Sequence, residues 1–285
     1  VAGTKFFTSS SLTGTMADAT GALTITSGAA NIWTPLVFNN LQIWFGGPAA
    51  APNAPFKYSG TGNAAVLGGT PPSASTGFVA NNRPFAISTT ANPSIIQWPI
   101  VSNPEDWTGA GSGNATVGLS DGEALQCGVV MGPDTAILFK NSSSHLMVLT
   151  RQPFPIYQLQ KGIGVAGRWS YVYAKGTCYI VTPSRRMKST TDGVHFDNYP
   201  TNIDDIWDTI NTDRIPNIVG YYQESLELII WLVSTGSSTT NNYAIVWDIR
   251  RECFLRFTTG FDANVMAVVK NRVLYAGHYD GKIYQ

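Results

Sequence analysis

The side chains best suited to acid–base or nucleophilic chemistry are few here and far apart. Only three histidines occur, His145 in a Ser-rich stretch, His195 in GVHF and His278 near the end, and each reads as a surface or packing residue. No Gly-x-Ser-x-Gly elbow marks a serine as a nucleophile. Ser142 to Ser144, just before His145, read as a turn; on a strand, neighbours would point to opposite faces, a poor geometry for a Ser–His pair. Among the carboxylates are Glu105 and Asp106 in NPEDW, Asp192 in TTDGVHF, Asp204, Asp205 and Asp208 in one short segment, and Glu224 and Glu227. Two of them facing across a cleft would suit glycoside hydrolysis, yet their spacing selects no pair. No Asp-x-Asp-x-Asp-Gly loop offers calcium a site. Cys127, Cys178 and Cys253 lie in strand-like runs with no Cys-x-x-Cys spacing, and they read as buried reduced thiols. The expectation is a non-enzyme with no cofactor and no metal.

The densest charge is PSRRMKSTTDG, where Arg185, Arg186 and Lys188 follow a strongly apolar run. A solvated loop or salt bridges between subunits is one reading. Contact with nucleic-acid phosphates is the other, since three cations on one loop suffice to brush a backbone without fixing it. Arg250 and Arg251, in WDIRRECF, read as a hairpin corner. Over the whole chain 18 Lys and Arg balance 18 Asp and Glu, and only 13% of residues are charged, about half the usual share of roughly 25%. No basic stripe suits a firm grip on duplex DNA, although a channel that lets DNA slide has reason not to hold it. No run approaches the roughly 18 apolar residues of a membrane span, so no membrane insertion is expected. The opening VAGTKFF lacks an initiator Met and reads as a processed or partly represented product.

Whatever these residues do, β structure must hold them. Apolar run, short polar turn, apolar run recurs in PLVFNNLQIWFGG, GFVANNRPFAIS, VVMGPDTAILF, SYVYAKGTCYIV, VGYYQESLELIIWLV and AVVKNRVLYAG. The turns fall near Asn39, Asn81, Pro133, Lys175, Glu224 and Lys270, a spacing of roughly 40 to 50 residues that is the range of propeller blades. APFKYSG, SIIQWPI, HLMVL, YAIVWDI with ECFLRFT, and KIYQ supply further strands, and Asp280-Gly281 is a hairpin-turn signal. One meander alone exposes an apolar face and two edges, which radial stacking buries or shortens. The predicted fold is all-β, a β-propeller-like ring of about six short antiparallel meanders with one short inserted helix. That helix is TNIDDIWDTIN, Thr201 to Asn211, with Ile203, Ile206 and Ile210 at helical spacing and Asp204 and Asp205 in the first turn. Residues 1–30 read as a peripheral strand segment and linker, and residues 31–285 as the propeller. PAAAPNAP, GTGNAAVLGGTPPSASTG and TGAGSGNATVG read as loops.

The succession of pieces carries a resemblance. FNNLQIWFGGPAAAPNAPFKYSG, FVANNRPFAIS, NPEDW, TAILFKNSSSHLMVL, GIGVAG, GTCYIVTPSRRMKSTTDGVHF and LYAGHYDGKIYQ follow one another from Phe38 to Gln285. This order resembles the propeller part of podovirus tail nozzle proteins, the packaged-DNA stabilisation and tubular tail proteins of short-tailed phages. The chain is short for such a nozzle and stops where further β structure closing a tail tube is expected. The resemblance implies a structural role in the virion tail, below the portal and the head-to-tail adaptor. Copies would form a ring, a hexamer by family analogy, whose channel retains and conducts packaged DNA in transient contact and whose outside docks tail fibres or spikes. The alternative is a carbohydrate-binding or glycan-cleaving β-propeller, suggested by eight tryptophans that could stack on sugars. A bacterial surface or protein-interaction propeller is the third.

Overall fold

The computed structural model describes residues 3–9, 15–26, 28, 31–47, 52–118, 121–199, 203–257, 262–269, 273–279 and 282–284. Its regular unit begins at the tight turns. Asn39 and Asn40 have φ of 46° and 62°, Asn81 and Asn82 44° and 52°, and Lys175 and Gly176 51° and 79°. A two-residue turn with both φ values positive matches the twist of the flanking strands, and Asn and Gly tolerate it best. The turns read at Lys270-Asn271 and Asp280-Gly281 lie outside the described residues.

At the start, β1 (Phe7–Thr8) pairs with β2 (Ala17–Asp18) as a separate ribbon. Six antiparallel sheets follow, each with its strands in chain order. The first holds β3 (Ile32–Phe38), β4 (Leu41–Gly47), β5 (Phe56–Tyr58) and β6 (Ala65–Val66). The second holds β7 (Ala74–Ala80), β8 (Arg83–Thr89), β9 (Ile95–Trp98) and β10 (Gly113–Thr116). The third holds β11 (Cys127–Gly132), β12 (Thr135–Phe139), β13 (Ser143–Val148) and β14 (Ile156–Lys161). The fourth holds β15 (Tyr171–Ala174), β16 (Thr177–Val181), β17 (Met187–Thr190) and β18 (Asp197–Asn198). After a helix, α1 (Asp204–Asp208), and a 3-10 turn at Thr212–Asn217, the fifth sheet holds β19 (Val219–Gln223), β20 (Leu228–Val233), β21 (Tyr243–Asp248) and β22 (Cys253–Phe257). The sixth holds, among the described residues, β23 (Ala263–Val269), β24 (Val273–His278) and β25 (Ile283–Tyr284). These are the blades of a six-bladed β-propeller.

The chain forms two compact units, one of Val1–Leu138 with His145–Gln158 and one of Phe139–Ser144 with Leu159–Gln285. In the first, Phe38, Ile43 and Phe45 pack with Ala74 and Ala86 of the next sheet. Beyond them Phe78, Phe85 and Trp98 meet Leu138, Met147 and Phe154. Phe6, before β1, sets its ring 5.6 Å from Trp44 and 5.5 Å from Phe56, so the N-terminal ribbon is stapled to the first blade. In the second unit, Val172, Tyr179 and Met187 pack against Ile229, Trp231 and Trp247, while Ile230, Leu232 and Val246 face Ala263 and Met266 on the other side.

Several elements differ from the sequence reading, each for a physical reason. The last strands of the first two blades, β6 and β10, carry little apolar character and fall inside stretches read as loops, because an edge strand needs only one paired neighbour. Ser143 and Ser144 stand buried on β13 and are not a turn. Lys188 sits on β17, with Arg185 and Arg186 on the loop before it. The helix is shorter than predicted, with Ile203 at its N-cap, and a 3-10 turn completes the insertion. The spacing argument still holds, as Ile203, Ile206 and Ile210 are all buried. Cys127 and Cys178 are buried free thiols and Cys253 is half-buried.

The exposed turn residue Asn40 tests the hairpin geometry. Asn40→Gly should leave the urea midpoint unchanged or slightly raised, whereas Asn40→Val should cost about 1–2 kcal/mol, the penalty of a left-handed backbone for a β-branched residue. Equal midpoints for the two variants would show that the turn does not set this register.

Candidate functional site

The basic loop is built by the end of β16. Thr182 closes it, its carbonyl accepting from the Arg185 N–H at 2.9 Å and its hydroxyl donating to the Arg186 carbonyl at 3.1 Å. Arg185 takes a left-handed φ of 59°, which turns both arginines toward α1. The helix has no basic residue of its own in its last turn. Arg185 supplies that charge from outside, Nη1 donating to the carbonyls of Asp208 at 2.8 Å and Ile210 at 3.4 Å, where a cation complements the helix dipole. Arg186 Nη1 donates to Asp208 Oδ1 at 3.1 Å, and its Nε lies 3.3 Å from Asp204 Oδ1. Lys188 Nζ donates to Asn198 Oδ1 across the β17–β18 pair. The three cations singled out from the sequence thus gather in one region and hold an inserted helix and an edge strand.

Beside this clamp lies a cavity of about 270 Å³. Met187, Tyr199, Trp207 and Phe254 form its apolar walls, and Arg186, Asn198 and Asp204 contribute polar groups. The rings stand at steep angles, Trp207 to Phe254 at 82° and 6.4 Å between centroids, because each is edge-packed in the same aromatic cluster. Tyr199 is similarly perpendicular to Trp247, at 86° and 4.7 Å. Behind it the Tyr179 hydroxyl is pushed well up, first by burial and then by Tyr199.

His195 is not isolated, as its sequence context implied. Its Nδ1 lies 2.6 Å from Asp192 Oδ2, while Asp192 Oδ1 accepts from the amides of Val194 and His195 at 2.8 Å each. These bonds, the His195 side chain first, hold the Asp192 carboxyl far below its ordinary range, and Asp192 raises the His195 imidazole. The Thr190 hydroxyl donates to Asp192 at 3.1 Å. A nucleophile would have to donate to the histidine, so this order does not build a catalytic triad.

Other candidates have structural partners. Glu105 takes Lys57 Nζ at 2.7 and 2.6 Å and the Gly68 amide at 2.7 Å, and the neighbouring Gly69 has a φ of 74° and no room for a Cβ against the Glu105 carbonyl. Asp106 accepts from the Gly109 amide at 2.8 Å. Glu227 meets Lys175 at 2.5 Å and Arg250 at 3.2 Å, while Arg251, on the β21–β22 corner, meets Asp248 at 2.6 Å. Burial pushes the Cys178 thiol up to about 12, which keeps it protonated and unreactive. His145 is buried on β13. All eight tryptophans are buried or half-buried, so their number reflects packing more than an exposed stacking platform. Among the described residues, no group of three His, Cys, Asp or Glu is placed to hold a metal. No helix is long and apolar enough to cross a membrane.

Two measurements check this geometry. Arg186→Gln should accelerate amide exchange at Ile206 and Trp207 while lowering overall stability by no more than about 1 kcal/mol, because the ion pairs are part-exposed and screened. Unchanged exchange would mean that the arginine does not hold the helix. For the other pair, the depressed Asp192 contributes in full above its unfolded value of 3.8 and loses that contribution as pH falls toward its lower folded value, while the raised His195 contributes in full below 6.5 and loses its contribution as pH climbs through its higher folded value. The pairing therefore operates from weakly acidic to near-neutral pH and fades on either side. An NMR titration should place His195 above 6.5, and Asp192→Asn should return it toward that value.

No family model matches the chain, and no curated protein matches it. Solved structures do. A protein of Bacteroides uniformis provisionally assigned as a 6-phosphogluconolactonase aligns over 95% of this chain and 84% of its own, with a TM-score of 0.57 and 9% identity. The extracellular domain of a provisionally assigned hybrid two-component system from B. thetaiotaomicron aligns over 89% of this chain and 32% of that one, with a TM-score of 0.56 and 12% identity. A computationally designed protein aligns over 93% and 73%, with a TM-score of 0.53 and 10% identity. At such identities the likeness is one of fold.

Proposed function

We propose that the chain is a structural component of a short phage tail, a nozzle or tail-tube hub below the portal and adaptor. One observation supports this reading best: the motifs behind the resemblance serve as joints of the propeller. NPEDW places Glu105 on Lys57 and Gly68. GIGVAG brings Gly164 against the backbone of Lys140 and Asn141 in the LFKN stretch, too close for any side chain, and the Asn141 amide donates to the Val165 carbonyl at 3.2 Å. PSRRMKS clamps α1.

The charge distribution fits a conduit. Of the 18 Lys and Arg, at least seven (Lys5, Lys57, Lys175, Arg185, Arg186, Arg250 and Arg251) have a carboxylate partner among the described residues, and the formal net charge is zero, which weakens the field available to grip phosphates. In this reading copies assemble as a closed ring, six by family analogy, through heterologous contacts repeated around an axis. Packaged DNA touches the wall only in passing, and adaptor and fibre or spike proteins dock on the outside. Mass spectrometry across a density gradient of phage particles from the source culture tests it. This chain should band with capsid and portal at constant stoichiometry, and its absence from the particle band would overturn the proposal.

A further inference from the structure

We infer that the cavity beside α1 is a binding site for a single pyranose ring of a glycan. Its volume of about 270 Å³ lies just under the roughly 300–1,000 Å³ of ordinary ligand pockets, so it suits one ring better than a chain of them. Tyr199 and Phe254 are half-buried and line it, which gives the apolar C–H face of a sugar an aromatic wall. The polar groups complete the match. Arg186 Nη2 and Asn198 Nδ2 are donors, and Asp204 Oδ2 is an acceptor, with no hydrogen-bond partner among the described residues. Vicinal hydroxyls, each both donor and acceptor, satisfy such a mixed set.

Charge selects against other small ligands. An anion drawn to Arg186 would meet Asp204 and Asp208, which already hold that guanidinium. A cation drawn to the aromatic walls and Asp204 would meet Arg186. A neutral polyol faces neither conflict. The perpendicular walls form a corner, which receives the edge and one face of a chair-shaped ring, whereas a planar base is held best in a parallel slot.

The test is an NMR titration of the full chain with hexoses, N-acetylhexosamines and deoxyhexoses, following the Asn198 side-chain amide and the Trp207 indole. At least one sugar should shift both signals at millimolar concentration. Asn198→Ala, at an exposed position, and Tyr199→Leu should each weaken binding about tenfold, while the loss of the exposed Lys188–Asn198 contact lowers the thermal midpoint of Asn198→Ala only slightly, so that its binding is read on a folded protein. No shift with any sugar, or binding indifferent to both substitutions, overturns the site. The particle experiment is independent: a particle component that binds no sugar sinks this inference alone, and a sugar binder absent from particles sinks the tail reading alone.

Discussion

A strand that is apolar on both faces cannot stand at a water surface, and this constraint organises the molecule. In LIIWLV of β20 every residue after the first is buried, and in β8 all seven are. One face of β20 packs on the preceding blade and the inserted helix, through Ile229 and Trp231, and the other on the following blade, through Ile230 and Leu232. Each large side chain so covered contributes roughly 1.5–3 kcal/mol, and no blade can obtain that on both faces by itself. Adjacent sheets therefore stack within each unit, and the short polar hairpins fall at their ends. Shape requirements follow. Gly220 lies where any side chain would strike the Trp231 ring, so the close approach of β19 and β20 at that point rests on a missing Cβ.

Stacking leaves few positions for charge, and the charges present act as ties. Arg83 illustrates the cost. It is almost fully buried, donates to the carbonyls of Pro99 and Gly111 at 3.1 and 2.9 Å, and lies 5.4 Å over the Phe154 ring. Its Nε has no hydrogen-bond partner among the described residues. Burial lowers the guanidinium from its ordinary value, and its Nη1 joins two loops to the second blade through both hydrogen bonds. The same logic connects Glu105 to Lys57 and Glu227 to both Lys175 and Arg250. A low charged fraction thus coexists with a specific arrangement of those charges.

The parts of this fold written in local chemistry were legible from sequence. Turn asparagines, alternating or continuous apolar runs and the isoleucine spacing of the helix are local signals, and each found its place. The edge strands β6 and β10 were not legible, because Ala65, Val66 and the GNAT of β10 bury little and are fixed by backbone pairing alone. The basic loop was visible as charge, but its partners were not. Nothing in PSRRMKS announces that Arg186 will meet Asp204 and Asp208 some twenty residues on, since that contact depends on where α1 docks. His195 illustrates the reverse failure: Asp192 lies three residues away in plain view, yet their pairing needs the turn that the Asp192 carboxylate itself organises through the Val194 and His195 amides.

The insertion after the fourth blade is where regular architecture gives way to individual chemistry. Hairpin turns of two to four residues present mostly backbone and short polar side chains. A helix laid across blade ends instead brings its own side chains against the ends of strands from both neighbouring sheets. Trp207 from α1, Tyr199 after β18 and Phe254 from β22 consequently meet with Arg186 and Asp204 around one space. A helical cylinder covers the ends of twisted strands imperfectly, and aromatic rings locked edge-to-face by their neighbours cannot collapse into the gap. The cavity persists because its walls are held from behind, Tyr199 and Phe254 by Trp247, and Arg186 by the helix carboxylates. Rigid walls with uncommitted donors and an acceptor are the conditions under which a small neutral ligand binds without reorganising its host.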